Sequence, residues 1–90
     1  MELEQLRIFL AAAEEHGFSQ AARRLYISHS TVSRSVAALE RELGLPLFRR
    51  AGRVQTLTGA GRLLAREGAQ LLALADAIPE KLRAAEEEES

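Results

Sequence analysis

The sequence predicts a mainly α fold: three short helices, a small two-stranded hairpin, and a long C-terminal helix. Three observations predict it. Apolar residues recur at helical spacing in short stretches that end at Gly17, Leu25 and Gly44; two short extended runs flank the Gly-containing pair Ala51-Gly52; and the remainder, from Thr58, is rich in Ala and Leu. Ninety residues, 47% of them apolar, are enough for one small core without staples.

The first helix is carried by Leu3, Leu6, Leu10 and Ala13, with Phe9 beside them and Gly17 as its stop. Ser19 follows as an N-cap, and residues 20–25 make a second helix that packs through Ala21, Ala22 and Leu25. Tyr26 and Ile27 interrupt the pattern. Ser28 or Ser30 then caps a third helix, whose apolar stripe is Val32, Val36, Leu39 and Leu43 before Gly44. Two short helices separated by a few residues, the second capped by Ser, read as a helix-turn-helix, although its turn lacks the usual Gly and the pattern alone leaves an ordinary three-helix core as a competitor. Leu47 to Arg50 and Arg53 to Leu57 are the strands of a hairpin, or wing.

Thr58 is a good N-cap for the last helix. Along it Leu64, Gly68, Leu71, Ala75, Ile78, Leu82 and Ala85 alternate spacings of four and three, a heptad seam that suggests a partner helix, the alternative being that this face packs on the domain's own core. A helix of that length overhangs so small a body. Pro79 removes a backbone donor, so a kink or stop is expected at Ala77-Ile78, and the four carboxylates of Glu86 to Glu89 are expected to fray the end. The expected division is therefore a winged helix-turn-helix over residues 1–58 and a linker or dimerisation helix over residues 59–90.

Several function classes lack support. There is no Cys, His16 and His29 are the only histidines and have no metal-ligand spacing, and the one Asp is Asp76. His29 between Ser28 and Ser30 cannot form an oriented triad, and Gly59-Ala60-Gly61 lacks the strand and Lys of a phosphate loop; close packing suits it better. No enzyme, cofactor or metal is expected. No run approaches the roughly 18 apolar residues of a membrane span, and the opening residues are not a basic, then apolar, signal region. Without Cys or targeting signals, the cytoplasm is the expected compartment.

The net charge of −1 conceals a strong asymmetry. Residues 1–18 hold one Arg against four Glu, and residues 67–90 hold two basic against seven acidic groups. Between them lie nine Arg against only Glu40 and Glu42, a basic centre suited to nucleic acid. On the third helix, the apolar stripe occupies roughly 60° at 100° per residue, which leaves Ser30, Ser33, Arg34, Ala37 and Arg41 opposite. That face is slim enough for a major groove, and Ser28 and Thr31 at its start suit phosphate. Arg49, Arg50 and Arg53 on the hairpin suit a minor groove.

The run Phe18-Ser19-x-Ala21-Ala22-x-x-Leu25-x-Ile27-Ser28, then Thr31-Val32-Ser33-Arg34, Leu39-Glu40, Leu43-Gly44, Leu47-Phe48-x-Arg50 and Leu57-Thr58-x-Ala60-Gly61 resembles the N-terminus of LysR-type transcription regulators. The resemblance covers nearly the whole chain. It implies a recognition helix in the major groove, a wing at the minor groove, and a linker helix that pairs two subunits on an inverted-repeat site. Carried over by position, it implies DNA contacts at His29, Ser30, Ser33 and Arg34 and a wing contact at Arg53. With the capping and wing residues, the expected DNA set is Ser28, His29, Ser30, Thr31, Ser33, Arg34, Arg50 and Arg53.

The expected dimerisation set is Leu64, Gly68, Leu71, Ala75 and Ile78. The departure is His29-Ser30, where the family usually has Gln-Pro. Members of the family continue into a larger ligand-sensing domain that 90 residues cannot contain. The expected partners are thus double-stranded DNA and a second copy, or a higher oligomer in a longer chain, with no membrane and no small-molecule effector. The competing reading is a helical interaction module that dimerises without DNA.

Overall fold

A computed structural model describes residues 1–51 and 54–89. Its elements are α1 (Leu3–Glu15), α2 (Phe18–Leu25), α3 (His29–Leu43), β1 (Phe48–Ala51), β2 (Val54–Leu57) and α4 (Gly59–Glu89). The strands pair antiparallel, with Phe48 opposite Leu57 and Ala51 opposite Val54. Ala51, expected in the turn, is instead the last residue of β1; Gly52, the other expected turn residue, and Arg53, expected to open the second strand, lie outside the described residues, as does Ser90.

The first two helix boundaries differ from expectation. α1 ends at His16, which is left-handed at φ 57°, while Gly17 is extended at φ 176° and serves as the N-cap of α2. α2 therefore begins at Phe18, not after a Ser19 cap, and the Gly17 carbonyl accepts the Ala21 N–H at 3.2 Å. An N-cap needs extended backbone more than a particular side chain, so Gly serves. The earlier start turns Phe18 onto the core. In the helix-turn-helix bend, Tyr26 takes the left-handed conformation (φ 59°) that Gly usually supplies. Its ring stays in solvent, 95% exposed, and the Ile27 N–H closes the turn onto the Ala22 carbonyl at 3.0 Å.

Two apolar clusters share α1. Ile8, Ala11 and Ala12 meet Ala21, Ala22, Val32 and Val36 in one, where small side chains let the three helices approach closely. Leu6, Phe9 and Leu10 meet Leu39, Leu47 and Leu72 in the other, and Phe48 packs against both. The expected inward residues Leu3 and Leu43 are instead 44% and 39% exposed, each at a helix end beyond the reach of the opposing layer.

α4 is locked to the body at its start. The Thr58 hydroxyl donates to the Pro46 carbonyl (2.7 Å) and accepts from the Gly61 N–H (3.0 Å), so the expected cap is formed and also ties the linker down. Gly61 presses on the chain before β1: a Cβ there would sit 2.1 Å from the Leu47 carbonyl oxygen. Backbone cannot yield as a side chain can, so Gly61→Ala is expected to destabilise by about 2–3 kcal/mol, the scale of overpacking. Gly59→Ala, whose Cβ would meet only Arg62 at 3.8 Å, should be neutral or better. Urea unfolding of both variants checks the contrast.

Pro79 neither stops nor interrupts α4, and the acidic end stays helical through Glu89. Pro79, Ile78 and Glu80 are exposed and Ala75, whose carbonyl lacks its donor, is only half-buried, so water can reach that carbonyl. Good helix formers surround it, and an Arg83–Glu80 ion pair at 2.7 Å spans the next turn. The helix runs about 46 Å at 1.5 Å per residue. The molecule measures 59 × 26 × 19 Å, so α4 projects well past the body.

Candidate nucleic-acid interface

Ser28 is the N-cap of α3. Its side-chain oxygen accepts the Thr31 N–H at 3.1 Å and lies 2.8 Å from the Thr31 hydroxyl and 3.1 Å from that of Ser30. This knot of hydroxyls fixes where the helix starts. Beyond it His29, Ser30 and Arg34 are exposed and Ser33 is half-buried, while Val32, Val36 and Leu39 face inward. The expected outward face is thus the observed one over the first turns.

The wing is held to this helix by two devices. The Glu40 carboxylate accepts the N–H groups of Leu47 (2.7 Å) and Phe48 (3.3 Å), joining the middle of α3 to the start of β1. Phe48 then packs between Phe9, tilted at a ring-centroid distance of 5.5 Å, and Phe18, edge-on at 5.2 Å, and the Phe18 ring lies 6.1 Å from that of His29 at the start of α3. Removing the carboxylate by Glu40→Ala leaves two half-buried donors without partners, an expected loss of about 1–3 kcal/mol. Hydrogen exchange should show the wing amides losing protection first.

The consequence is a polar cleft of about 370 Å³ where α2, α3 and the wing converge. It is lined by His29 and Ser33 from α3 and by Arg50 from β1, three of the expected contact residues. It also includes His16, Ser19, Gln20 and Gln55, which sequence reasoning did not select. No spacing rule could bring them to one place; the hydrogen bonds and ring contacts above do so. Arg53 lies outside the described residues.

The basic centre is sorted by the fold. Arg24 is drawn away from it by Glu14 (2.7 Å) and Glu15 (3.2 Å), which hold its guanidinium even more firmly protonated. Among the described residues, Arg34, Arg49 and Arg50 are exposed and make no ion pair. Outside the basic centre, Arg7 bridges α1 to α4 through both oxygens of Asp76, at 2.6 and 3.3 Å, and holds that carboxyl below its usual range. A depressed carboxyl contributes above its unfolded value and is lost as pH falls through its folded one, so this tie persists at neutral pH and opens in acid.

α4 presents two faces where the sequence suggested one seam. Gly61, Gly68 and Leu72 turn inward, and a Cβ at Gly68 would lie 2.7 Å from Leu6 Cδ1. Gly68 is therefore a core contact within the single chain; Leu64 packs on the core edge, and Ala75 is half-buried. The outward apolar stripe is Leu63 (48%), Leu71 (42%), Leu74 (61%), Ile78 (52%) and Leu82 (62%). Leu63 and Leu74 were not expected in it. No helix among the described residues is long and apolar enough to cross a membrane.

Three helices with an antiparallel wing, a Ser-capped third helix facing outward and a long projecting helix define a winged helix-turn-helix unit with a linker helix. Residues 3–62 match the family described as bacterial regulatory helix-turn-helix protein, lysR family, and the chain belongs to that family. It is 42% identical over 90 residues to the HTH-type transcriptional regulator TfdT of Cupriavidus pinatubonensis, covering all of this chain and 40% of that one. It is 46% identical over 83 residues to the HTH-type transcriptional regulator BudR of Klebsiella aerogenes, covering 92% of this chain and 58% of that one. The chain thus spans between two-fifths and three-fifths of the length of these two regulators. Among solved structures, the CbnR_DBD–DNA complex superposes with a TM-score of 0.89 at 38% identity, covering 94% of this chain and 98% of that one.

Proposed function

We propose that this chain binds double-stranded DNA sequence-specifically as the DNA-binding part of a transcription regulator, and does so as a homodimer. The observation that carries the reading is the convergence of the slim polar face of α3 and the wing Arg50 on one cleft. His29, Ser30, Ser33 and Arg34 would meet base edges in the major groove, Ser28 and Thr31 would sit by phosphate, and Arg50 with Arg53 would serve the adjoining backbone or minor groove. The superposition on a protein fragment solved with DNA supports the same docking.

The outward stripe of α4 supports the second copy, because an apolar stripe from Leu63 to Leu82 is more than a monomer normally leaves uncovered. Two-fold pairing of α4 covers it and presents two recognition helices to an inverted repeat. Leu71 and Ile78 keep their expected places in that pairing, joined by Leu63, Leu74 and Leu82; Leu64 and Ala75 border it. Acting on a bacterial chromosome places the protein in the cytoplasm, on the nucleoid when bound.

A salt titration of duplex binding tests the reading. Neutralising several phosphates gives a log–log slope of about −0.9 for each contact. A steep slope agrees; no binding even at low salt would favour the interaction module.

A further inference from the structure

The chain has two histidines, thirteen residues apart, and the fold brings both to the cleft between α3 and the wing. His16 arrives there because α1 ends on it in the left-handed conformation, and His29 because it opens α3 with its ring beside Phe18. The other ionisable lining group is Arg50. We propose that His16 contacts DNA backbone phosphate beside the base-reading His29, and that both imidazoles take up protons on binding, which makes duplex affinity rise as pH falls.

This rests on the DNA-binding reading and adds to it a ligand group, phosphate, and a linked proton. Histidine is the side chain whose ordinary titration falls between about pH 5 and 8, and phosphate oxygens nearby favour its charged form. The complex then binds more protons than the free partners, so affinity increases toward acid.

The charges around the cleft leave this linkage room. From α1, Glu14 and Glu15 precede His16, but both are engaged by Arg24. From the wing come Arg50 and the neutral Gln55, from α2 the neutral Ser19 and Gln20, and from α3 the neutral Ser33. From α4, Arg62 shares a second groove with His16 and donates to the Leu57 carbonyl at 3.2 Å. Both grooves are therefore basic or neutral. The N-terminal amine is paired with Glu42, about 20 Å along α3 from His29 at 1.5 Å per residue.

Affinity for a short random-sequence duplex, measured at constant salt between about pH 5.5 and 8, tests the proposal. Wild type is expected to bind about tenfold more tightly at the acid end for each engaged histidine, the consequence of a one-unit shift on binding. His16→Asn keeps a residue that tolerates the left-handed backbone, and His29→Gln keeps a polar group at the helix start. Each should lose part of the pH response, and the double variant should lose nearly all of it. A double variant with the wild-type response, or a wild type that binds equally at both ends, would overturn the proposal while leaving DNA binding intact. Absence of binding at any pH would overturn both readings. As a check that needs no variant, the two imidazole ring-proton signals should titrate at higher pH with duplex present; unmoved midpoints would count against the proposal.

Discussion

Leu74→Glu is expected to give a folded monomer whose affinity for an inverted repeat falls by about a hundredfold or more, the scale of avidity lost with a second linked site. Leu74 is 61% exposed in the single chain, so its replacement removes nothing from the core. It lies between Leu71 and Ile78 on the outward stripe, where in the proposed pair a carboxylate would be desolvated against the partner's apolar side chains. Half-site binding should survive, because Ser28 to Arg34 and the wing lie on another part of the molecule. Sedimentation reads the assembly, and a Leu74→Glu protein that remains dimeric would mean that the subunits meet elsewhere.

Arg34→Ala is expected to cost specific DNA affinity about 1–3 kcal/mol, roughly fivefold to more than a hundredfold, with the fold unchanged. Arg34 is exposed on the outward side of α3 and, among the described residues, makes no ion pair. Arg24→Ala is the informative comparison. It removes the same charge from the same basic segment, but from a side chain held by Glu14 and Glu15 on the first two helices. If affinity depended on net charge alone, the two variants would be equally impaired; a contact at α3 predicts a much larger loss at Arg34. Binding isotherms on one duplex at one salt concentration make the comparison.

The element types were legible in the sequence because periodicity and punctuation agreed. Val32, Val36 and Leu39 recur at helical spacing behind a Ser cap, Gly44 ends the helix with φ 72°, and the hairpin pairs strands within one residue of the expected ones. Boundaries failed where backbone conformation is chosen by context. His16 and Tyr26 adopt left-handed geometry that neither residue type announces, and Gly17, which looked like a stop, opens the next helix. Pro79 misled in the other direction, since its cost was set against propensity alone while exposure lets water take up the released carbonyl.

The long helix was the hardest to read. Ala and Leu occur all round it, so a heptad through Gly68 and Leu71 looked continuous although those residues belong to different faces. Leu6 and the Leu47 carbonyl, both distant in sequence, decide which glycines turn inward. The site was half legible: the recognition face followed from the third helix alone. The gathering of His16, Gln20 and Gln55 beside His29 depended on Glu40 and Phe48, whose roles exist only once the wing has folded back.

Selection from a pool of random-sequence duplexes tests the central claim most directly. A dimer reading DNA through the first turns of α3 predicts enrichment of an inverted repeat, with half-site preferences that change when His29 or Ser33 is replaced. A selected pool indistinguishable from the starting one, or an enriched motif unmoved by both replacements, would contradict it.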